Sequence, residues 1–395
     1  MICYLDNSAT TKVCEEALEA ALKVMKEGFG NPSSMHRMGF EAEQTVNKSA
    51  ECLAGILGCD RSEIFFTSGG TESDNLAIIG ASLAASRKGK HVITTRIEHP
   101  AVRRPFEYLE KQGFEVTYLG VDPEGVVSCD ELEKALRDDT VLVSVMHVNN
   151  EIGSVQPLKE LGAIIKKKNR GCLFHVDDVQ GFTKLKISPR SMNIDLLSVS
   201  GHKIHAPKGT GFLYVKKGTR LEPLMLGGGQ QGGLRSGTEN VPGIAAMAAA
   251  AKMLCDKGEE DRAALYELRK DFVLSLSDIE DIKINGAGSL EHYKNGTADE
   301  ERFAPHIISL SVKSVRAEVL LHSLEEADIF VSAGSACSSH KRAPSEVLTA
   351  IGLEKDLLES TIRLSMSRYT TKEELCAASQ KLHEIIPALR RFVRR

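Results

Sequence analysis

Short apolar runs alternate with amphipathic stretches from about residue 60 to residue 215. Seven runs are predicted to be strands, namely residues 63–68, 91–95, 115–120, 140–148, 172–177, 196–200 and 211–215. Between several of them the apolar residues recur at helical spacing, as in residues 71–89 and 158–168. This alternation predicts an α/β fold in which helices cover both faces of a mainly parallel, seven-stranded sheet. In such a sheet, ligands bind beyond the carboxyl ends of the strands.

The pattern changes after the glycine-rich segment 226–243. The rest of the chain predicts a smaller α+β domain, with strand, helix, strand and helix at residues 306–312, 316–327, 361–367 and 372–392. We therefore predict a large domain over residues 14–262, and a small domain formed by residues 1–13 together with residues 263–395. The polar segment 285–305 is predicted to be a surface loop.

The composition of the chain indicates in which cellular compartment it works and which classes of binding partner it lacks. The 395-residue chain has a formal net charge of −4, so we expect no direct nucleic-acid partner. Its nine cysteines are scattered and include no C-x-x-C pair, which argues against a disulfide framework and a structural zinc site. No secretory signal is visible, and the most apolar segment, residues 241–254, is too short for a membrane span and is predicted to be a buried helix. We expect a cytoplasmic protein with no membrane partner.

Two glycines stand between a predicted strand and a predicted helix in FFTSGGTESDN, residues 65–75. Gly69 and Gly70 would let the backbone approach a ligand closely, and the helix start near Thr71 favours an anion such as phosphate. Glycine-rich turns of this kind are also common scaffolding, so the turn alone leaves both interpretations open.

Two further polar sites follow predicted strands. Asp177 ends the strand at 172–177, where it could face the ligand crevice or serve as the N-cap of a helix. Lys203 follows the strand at 196–200, together with Ser200 and His202. Most lysines are solvated surface charges, but partial desolvation here would free the amine for Schiff-base chemistry.

Pyridoxal 5′-phosphate (PLP) satisfies all three features. It needs a phosphate cradle, a lysine for its aldehyde and an acidic partner for its pyridine nitrogen. Thr71, Ser200 and His202 would hold the phosphate. Lys203 would supply the amine, and Asp177 would keep the nitrogen protonated. A nicotinamide enzyme would instead need a glycine fingerprint followed by an acidic residue about 20 positions later, and neither is evident.

One cysteine, Cys337, lies in the small and polar stretch VSAGSACSSHKRAPSEVL, residues 331–348. Free cysteines are usually buried as small hydrophobes, and this stretch offers no apolar pocket. Either the residue is incidental in a loop, or the loop exists to present its thiol.

Several longer sequence motifs between residue 4 and about residue 371 match, in the same order, those of a known family. They include YLDNSATT (4–11), FTSGGTESDNLAI (66–78), EHPAV (98–102), MHVNNEIG (146–153), HVDDVQ (175–180), SGHKIHAPKG (200–209), GGGQQGGLRSGTEN (227–240), GSACSS (334–339) and IRLSMSRYTT (362–371). With these pieces the chain resembles the cysteine desulfurases of the class V aminotransferase group, which have the type I fold of PLP-dependent transferases. It resembles in particular the group that supplies sulfur for iron–sulfur clusters and tRNA thiolation.

The resemblance implies how PLP would be held at its ring. Lys203 would bind the cofactor covalently. Asp177 would pair with the pyridine nitrogen, and Gln180 would contact the ring hydroxyl. His99 would stack on the ring and help to move protons.

The resemblance also implies how the phosphate would be held. Gly70, Thr71, Ser200 and His202 would bind it within one subunit. Thr238 would reach over from a second subunit, which implies a homodimer.

By the same resemblance, the substrate is L-cysteine. Asn150 and Arg363 would hold the amino acid, the arginine through two parallel hydrogen bonds to the carboxylate. Lys203 would take up the Cα proton. The thiolate of Cys337, on a loop at about residues 331–345, would attack the substrate sulfur, leaving a persulfide and releasing L-alanine. The sulfur would pass to acceptor proteins or to an iron–sulfur scaffold protein. No metal is required, although Cys337 could become a transient iron–sulfur ligand with such a partner.

The chain departs from the family pattern at several positions. It has Gln230, Gln231 and Gly232 where many members have His-Glu-Arg, and Asp178 where many have a small residue. None of these changes removes a catalytic group. A selenocysteine lyase, another PLP β-lyase or an ordinary aminotransferase would share the lysine and aspartate of the PLP site. A non-catalytic scaffold of the same fold is the alternative outside the enzymes.

Overall fold

The computed structural model describes residues 2–333 and 344–393, the side chains of residues 392 and 393 excepted. Strands and helices alternate along much of the large sheet's sequence, residues 64–177. The strands are β1 (Cys3–Tyr4), β2 (Ile64–Thr67), β3 (His91–Thr95), β4 (Glu115–Leu119), β5 (Thr140–Met146), β6 (Leu173–Asp177), β7 (Leu196–Ser200), β8 (Gly211–Val215), β9 (Ile282–Asn285), β10 (Ile307–Val312), β11 (Ile329–Phe330), β12 (Ser332–Ala333) and β13 (Thr361–Ser365). The helices are α1 (Glu15–Glu27), α2 (Arg37–Leu57), α3 (Gly70–Ala85), α4 (Pro100–Lys111), α5 (Cys129–Ala135), α6 (Leu158–Lys168), α7 (Val241–Asp256), α8 (Gly258–Ser275), α9 (Leu290–Asn295), α10 (Ala317–Glu325), α11 (Glu346–Ala350), α12 (Lys355–Leu358) and α13 (Lys372–Val393).

The central sheet has the strand order β2-β8-β7-β6-β5-β3-β4. Strands β3 to β7 run parallel to their neighbours in that group, whereas β8 is antiparallel to both β7 and β2. Strands β3, β5, β7 and β8 are buried along their whole length, as expected for a sheet covered on both faces. The predicted α/β fold with a mainly parallel seven-stranded sheet is confirmed.

Two apolar helices complete the core around this sheet. Helix α3 packs against β5, β6, β7 and β8, and its first residue, Gly70, lies beside Val179 and Ser200, where β6 and β7 end. Helix α7 packs against α1 and α2, which confirms the buried helix predicted at residues 241–254. Among the helices of the described residues, none is long and apolar enough to cross a membrane.

A second, antiparallel sheet has the order β12-β13-β10-β9. The N-terminal segment joins it, because β1 pairs in parallel with β11 and Asp6 forms an isolated bridge to Ser365 of β13. The buried apolar residues around this sheet form a cluster distinct from that of the central sheet. This arrangement agrees with a small α+β unit completed by the N-terminus, and the domain boundaries after residues 13 and 262 stay a prediction.

The prediction of a surface loop over residues 285–305 agrees with residues 291–302, which are exposed or half-buried, but not with the two ends of the segment. The segment contains α9 and leads into Phe303 and Ala304, which are fully buried. The guanidinium of Arg269 lies over the Phe303 ring at 4.7 Å, and Phe303 forms an isolated β-bridge with Ser154. The many polar residues of the segment obscured the two apolar residues that pack it against the core.

Candidate active site

Lys203 follows the carboxyl end of β7 in a single turn of 3₁₀ helix, Gly201–Lys203. Its side chain is half-buried. The Nζ atom donates to the carbonyl oxygens of Ser8 and, at 2.7 Å, Ala9. The amine is therefore held at the edge of the sheet where a ligand of this fold binds.

Asp177 and Gln180 lie beside Lys203, at the carboxyl end of the neighbouring strand β6. Asp177 is buried, and its Oδ1 accepts the Val179 N–H at 2.9 Å. Burial raises the pKa of the Asp177 carboxyl to about 6, and the Lys203 charge opposes the rise. Gln180 Nε2 donates to Ser8 O at 3.0 Å, whereas its Oε1 has no hydrogen-bond partner among the described atoms. One carbonyl group, that of Ser8, thus binds both Gln180 and Lys203.

A buried polar layer adjoins Asp177. His175, two residues earlier on β6, contacts the hydroxyls of Ser144 and Ser198 at 2.8 and 2.9 Å. The Oδ1 atom of Asp74 lies 3.6 Å from His175 Nε2. Burial and then the charge of Asp177 raise the pKa of Asp74 well above its ordinary value, and burial lowers the pKa of His175 to about 3. Burial thus favours the uncharged forms of Asp74 and His175 beside Asp177.

The glycine turn predicted to hold phosphate leads directly into α3, which begins at Gly70. A Cβ atom on Gly70 would lie 2.7 Å from Val179 Cγ2 and 3.5 Å from Ser200 Cβ. Only glycine fits there without displacing a neighbour. The structure thus brings Gly70, the first residue of α3, to Ser200, at the end of β7, and Thr71 follows Gly70 in the helix. Free amide groups at a helix start favour an anion in this position.

Two histidines face the same positively charged region. Burial, followed by the charge of Lys203, lowers the pKa values of His99 and His202 to about 4. His99 is the N-cap of α4, and its Nδ1 accepts the Ala101 N–H at 3.1 Å, so its proton lies on Nε2. Lys208 and Lys184 also lower the pKa of His202. Burial disfavours any charge here, but the nearby charges of Lys203, Lys208 and Lys184 would attract a bound anion.

Arg363 lies on β13 opposite Ser332 of β12 and is buried. Its Nη2 donates to Asp6 Oδ1 at 2.9 Å and to Ser332 Oγ at 3.1 Å, and its Nη1 donates to Asn150 O at 3.0 Å. Its Nε has no hydrogen-bond partner among the atoms that the structure describes. The structure thus brings together Arg363 and Asn150, the two residues predicted to hold the substrate.

Thr238 is exposed on the loop that precedes α7. Arg235 of this loop pairs with Glu72 of α3, with Nε 2.8 Å from Oε1, and Glu72 Oε2 accepts the Ser68 N–H at 2.8 Å. These bonds fix the loop to the turn that begins α3. An exposed Thr238 agrees with the prediction that it serves a second subunit, which stays a prediction.

Cys337 lies outside the described residues. The residues on either side of the undescribed segment contact the candidate site. Ser332 Oγ donates to Asp6 Oδ1 at 2.6 Å, and Ser345 Oγ donates to Glu151 Oε2 at 2.5 Å. Both flanks of the predicted cysteine loop are therefore bonded to neighbours of Asn150 and Arg363.

Sequence reasoning missed the N-terminal residues that complete the site. Ser8 and Ala9 act through main-chain carbonyl groups, which leave no signature in the side-chain pattern. Asp6 binds Arg363, from which it is 357 positions distant in sequence. The only available signal was that all three lie in YLDNSATT, a piece quoted for the family resemblance.

Glu98, next to His99, is a buried carboxyl group whose raised pKa can be tested through the pH dependence of stability. Its Oε1 accepts hydrogen bonds from the Met146 N–H at 2.9 Å and the Thr95 hydroxyl at 2.8 Å. Burial raises the pKa of Glu98 from 4.5 to about 8. Because the folded pKa is the higher one, the free energy of unfolding falls as the pH rises from about 4.5 to about 8, by up to ~1.4 kcal/mol per pH unit.

We expect Glu98→Gln to lack this part of the pH dependence, because glutamine keeps an acceptor oxygen and cannot ionise. Urea unfolding of the apoprotein between about pH 5 and pH 9 should show the variant gaining stability over the wild type as the pH rises. Glu72→Gln is the matched control, since hydrogen bonds to Arg235 and Ser68 lower the pKa of Glu72 despite its burial. That variant should be less stable than the wild type throughout this range. Equal slopes for Glu98→Gln and the wild type would contradict the prediction.

The sequence is similar to known proteins over almost its whole length. The family model described as aminotransferase class-V matches residues 3–377. The chain is 43% identical over 387 residues to a cysteine desulfurase IscS of Methanosarcina thermophila, an alignment that covers 98% of this chain and 92% of the relative. It is 43% identical over 388 residues to a cysteine desulfurase IscS of Dictyoglomus turgidum, covering 98% and 95% of the two chains.

The structure is also similar to solved structures. A NifS-like protein superposes with a TM-score of 0.89 at 38% identity, covering 98% of this chain and all (100%) of that one. The structure described as SspA in complex with cysteine superposes with a TM-score of 0.78 at 32% identity, covering 93% and 99% of the two chains.

Proposed function

This chain belongs to the class V aminotransferase family, as one of its cysteine desulfurases, and we propose that it takes sulfur from L-cysteine and holds it as a persulfide on Cys337. The other product is L-alanine. The sulfur then passes to acceptor proteins, among them scaffold proteins on which iron–sulfur clusters are built. The names of the IscS relatives and the NifS-like neighbours support this assignment.

The residues present fit PLP, on which the enzymes of this family depend. Two buried polar atoms near Lys203, Gln180 Oε1 and Ser8 Oγ, have no partner among the described atoms and suit the polar edge of a pyridine ring. Because Gly70 lacks a Cβ, the start of α3 can lie close to Ser200, and the main-chain N–H groups there would suit a phosphate. Lys203 would bind the aldehyde, Asp177 the ring nitrogen and Gln180 the ring hydroxyl.

When bound, PLP would supply an electron sink that acidifies the Cα–H of the substrate and weakens the bond between its Cβ and sulfur. Arg363 and Asn150 orient the substrate, the guanidinium binding its carboxylate. Lys203 Nζ takes the Cα proton, and the carbonyl groups of Ser8 and Ala9 orient that nitrogen beforehand. His99, neutral with a proton on Nε2, would lie against the ring and could donate that proton.

Cys337 performs the transfer of sulfur. Its thiolate attacks the sulfur atom of the substrate, an S–S bond forms and the substrate's C–S bond breaks. The electron pair of the broken bond stays on the substrate carbon, which then takes up a proton to give alanine. Cysteine and the enzyme thiol are thereby converted into alanine and the enzyme persulfide without an external oxidant.

A second copy of the chain completes the site in this proposal, because Thr238 would bind the phosphate of the neighbouring subunit. Large apolar side chains are exposed along α1 and just beyond it, at Leu18, Leu22, Met25 and Phe29. Their spacing places them along one side of the helix. A homodimer would cover this apolar surface.

One observation carries the proposal. Lys203 follows a strand of the central sheet and Arg363 lies on a strand of the second sheet, yet both contact the same short segment, residues 6–9. An amine for the cofactor and a guanidinium for a carboxylate are thereby held close together, as an amino-acid substrate requires.

The test is to incubate the PLP-loaded protein with L-cysteine. We expect L-alanine in an amount equal to the sulfur released, and a protein mass increased by one sulfur atom at Cys337. L-serine, which has no sulfur, is the matched control substrate and should leave the protein mass unchanged. Formation of pyruvate and ammonia in place of alanine would instead indicate a β-lyase.

A further inference from the structure

Asp178 and His147 form a buried pair beside the candidate PLP site. His147 follows the end of β5, and Asp178 follows the end of β6. Asp178 is 0% exposed and His147 is 4% exposed, and Nδ1 of the histidine lies 2.6 Å from Oδ1 of the aspartate. The His147 N–H also donates to Asp177 O at 2.8 Å. His147 therefore contacts both the residue proposed to bind the ring nitrogen and the residue that follows it.

The turn after β6 closes tightly on this pair. A Cβ atom on Gly181 would lie 2.3 Å from Asp178 Oδ1 and 2.4 Å from His147 Nδ1, so only glycine fits there. The N–H groups of Gly181 and Phe182 donate to Asp178 O at 3.2 and 2.9 Å. The turn includes Gln180, whose side chain donates to Ser8 O. The position of the Asp178 side chain therefore affects where Gln180 lies.

The hydrogen bond to His147 determines how Asp178 is oriented. Burial raises the pKa of the Asp178 carboxyl, and the attraction and hydrogen bond of His147 oppose that rise, with Lys184 assisting. The other oxygen of Asp178, Oδ2, has no hydrogen-bond partner among the described atoms. A buried carboxylate left without its partner is strongly disfavoured, so this one bond holds the side chain in place. Lys184 lies on the same side, donating to Gln180 O at 3.3 Å.

We propose that Asp178, held by His147, is a positioning residue that fixes Asp177 and Gln180 against the pyridine ring of PLP. This inference rests on the proposed function. It assigns a purpose to a residue at which the chain departs from its family, where a small side chain is usual. In this chain, Asp178 and His147 join the ends of β5 and β6 beneath the two residues that would contact the ring nitrogen and the ring hydroxyl.

The test compares Asp178→Ala with Asp178→Asn. Each apoprotein is titrated with PLP, and the dissociation constant is taken from the visible absorbance of the bound cofactor. The visible circular dichroism of the saturated protein reports how the ring is held. We expect Asp178→Ala to raise the dissociation constant by about tenfold and to weaken the dichroism, as losses of residues that orient a bound group do. Asp178→Asn keeps an acceptor oxygen for Nδ1 of the His147 ring, and its dissociation constant for PLP should stay within about threefold of the wild-type value.

A matched control separates positioning from general loss of stability. His91 is another buried histidine, contacting the hydroxyls of Thr140 and Thr117 at the amino end of β3. His91→Gln should lower the midpoint of unfolding while leaving PLP affinity and dichroism unchanged. Asp178→Ser, which also loses the contact with His147, is the second variant if Asp178→Ala proves insoluble.

Unchanged affinity and dichroism in Asp178→Ala or Asp178→Ser would overturn the inference, as would an Asp178→Asn protein as impaired as these two. A wild-type protein that fails to bind PLP would instead defeat the proposed function. The two failures are therefore distinguishable.

Discussion

Lys203→Ala is expected to lower the rate of sulfur release from L-cysteine by about a thousandfold or more. The protein should also lose the visible absorbance of covalently bound PLP after dialysis. Both effects follow from the two tasks proposed for this amine, which are to bind the aldehyde and to take up the Cα proton. The measurements are an absorbance spectrum after reconstitution with PLP and an assay of sulfide and alanine.

The chain offers two matched controls for this substitution. Lys208 lies five positions later and is exposed, so Lys208→Ala should keep the absorbance. Lys184 is the stronger rival, because burial lowers its pKa to about 7 and a partly deprotonated amine can react with an aldehyde. If Lys203→Ala retained a dialysis-resistant absorbance that Lys184→Ala lost, the attachment site would be Lys184 and the assignment of Lys203 would be wrong.

The fold could be predicted largely because its strands differ in composition from its helices. In the central sheet, the strands are short runs of apolar and β-branched residues, and glycine, proline or polar residues separate several of them from the next helix. The two-residue strands β1, β11 and β12 were missed because a segment of two residues is too short to show an alternation of apolar and polar positions. The buried end of the segment 285–305 was missed because its polar majority outweighed Phe303 and Ala304.

The candidate site could be predicted where it consists of side chains that follow strands. Asp177 and Lys203 were found in this way, because carboxyl ends of neighbouring parallel strands meet at one edge of a sheet. The contacts of Lys203 with Ser8 and Ala9 could not be found, since they join main-chain atoms to a side chain 195 and 194 positions later. Long-range contacts of this kind depend on how the two sheets pack and not on any local pattern.

Cys337→Ser is expected to abolish the persulfide and to lower sulfur release by about a thousandfold or more, while PLP binding stays unchanged. A serine hydroxyl is not ionised at neutral pH and cannot accept a sulfur atom as a thiolate does. The reach of the chain is compatible with this role. Ser332 is bonded to Arg363 and Asp6 at the proposed substrate site, and five residues of extended chain from Ser332 to Cys337 span at most about 18 Å.

The measurement is intact-protein mass spectrometry after turnover of L-cysteine, followed by location of the added sulfur by peptide mapping. Cys376→Ser is the matched control, because Cys376 is an exposed free cysteine on α13, and this variant should form the persulfide as the wild type does. A Cys337→Ser protein that still gained one sulfur would assign the acceptor thiol to another cysteine. If that variant lost turnover of L-cysteine but kept turnover of selenocysteine, the site would also act as a selenocysteine lyase, because a C–Se bond breaks without the attack of a thiolate that a C–S bond requires. Loss of both activities, with PLP still bound, would make Cys337 the obligatory acceptor for either substrate.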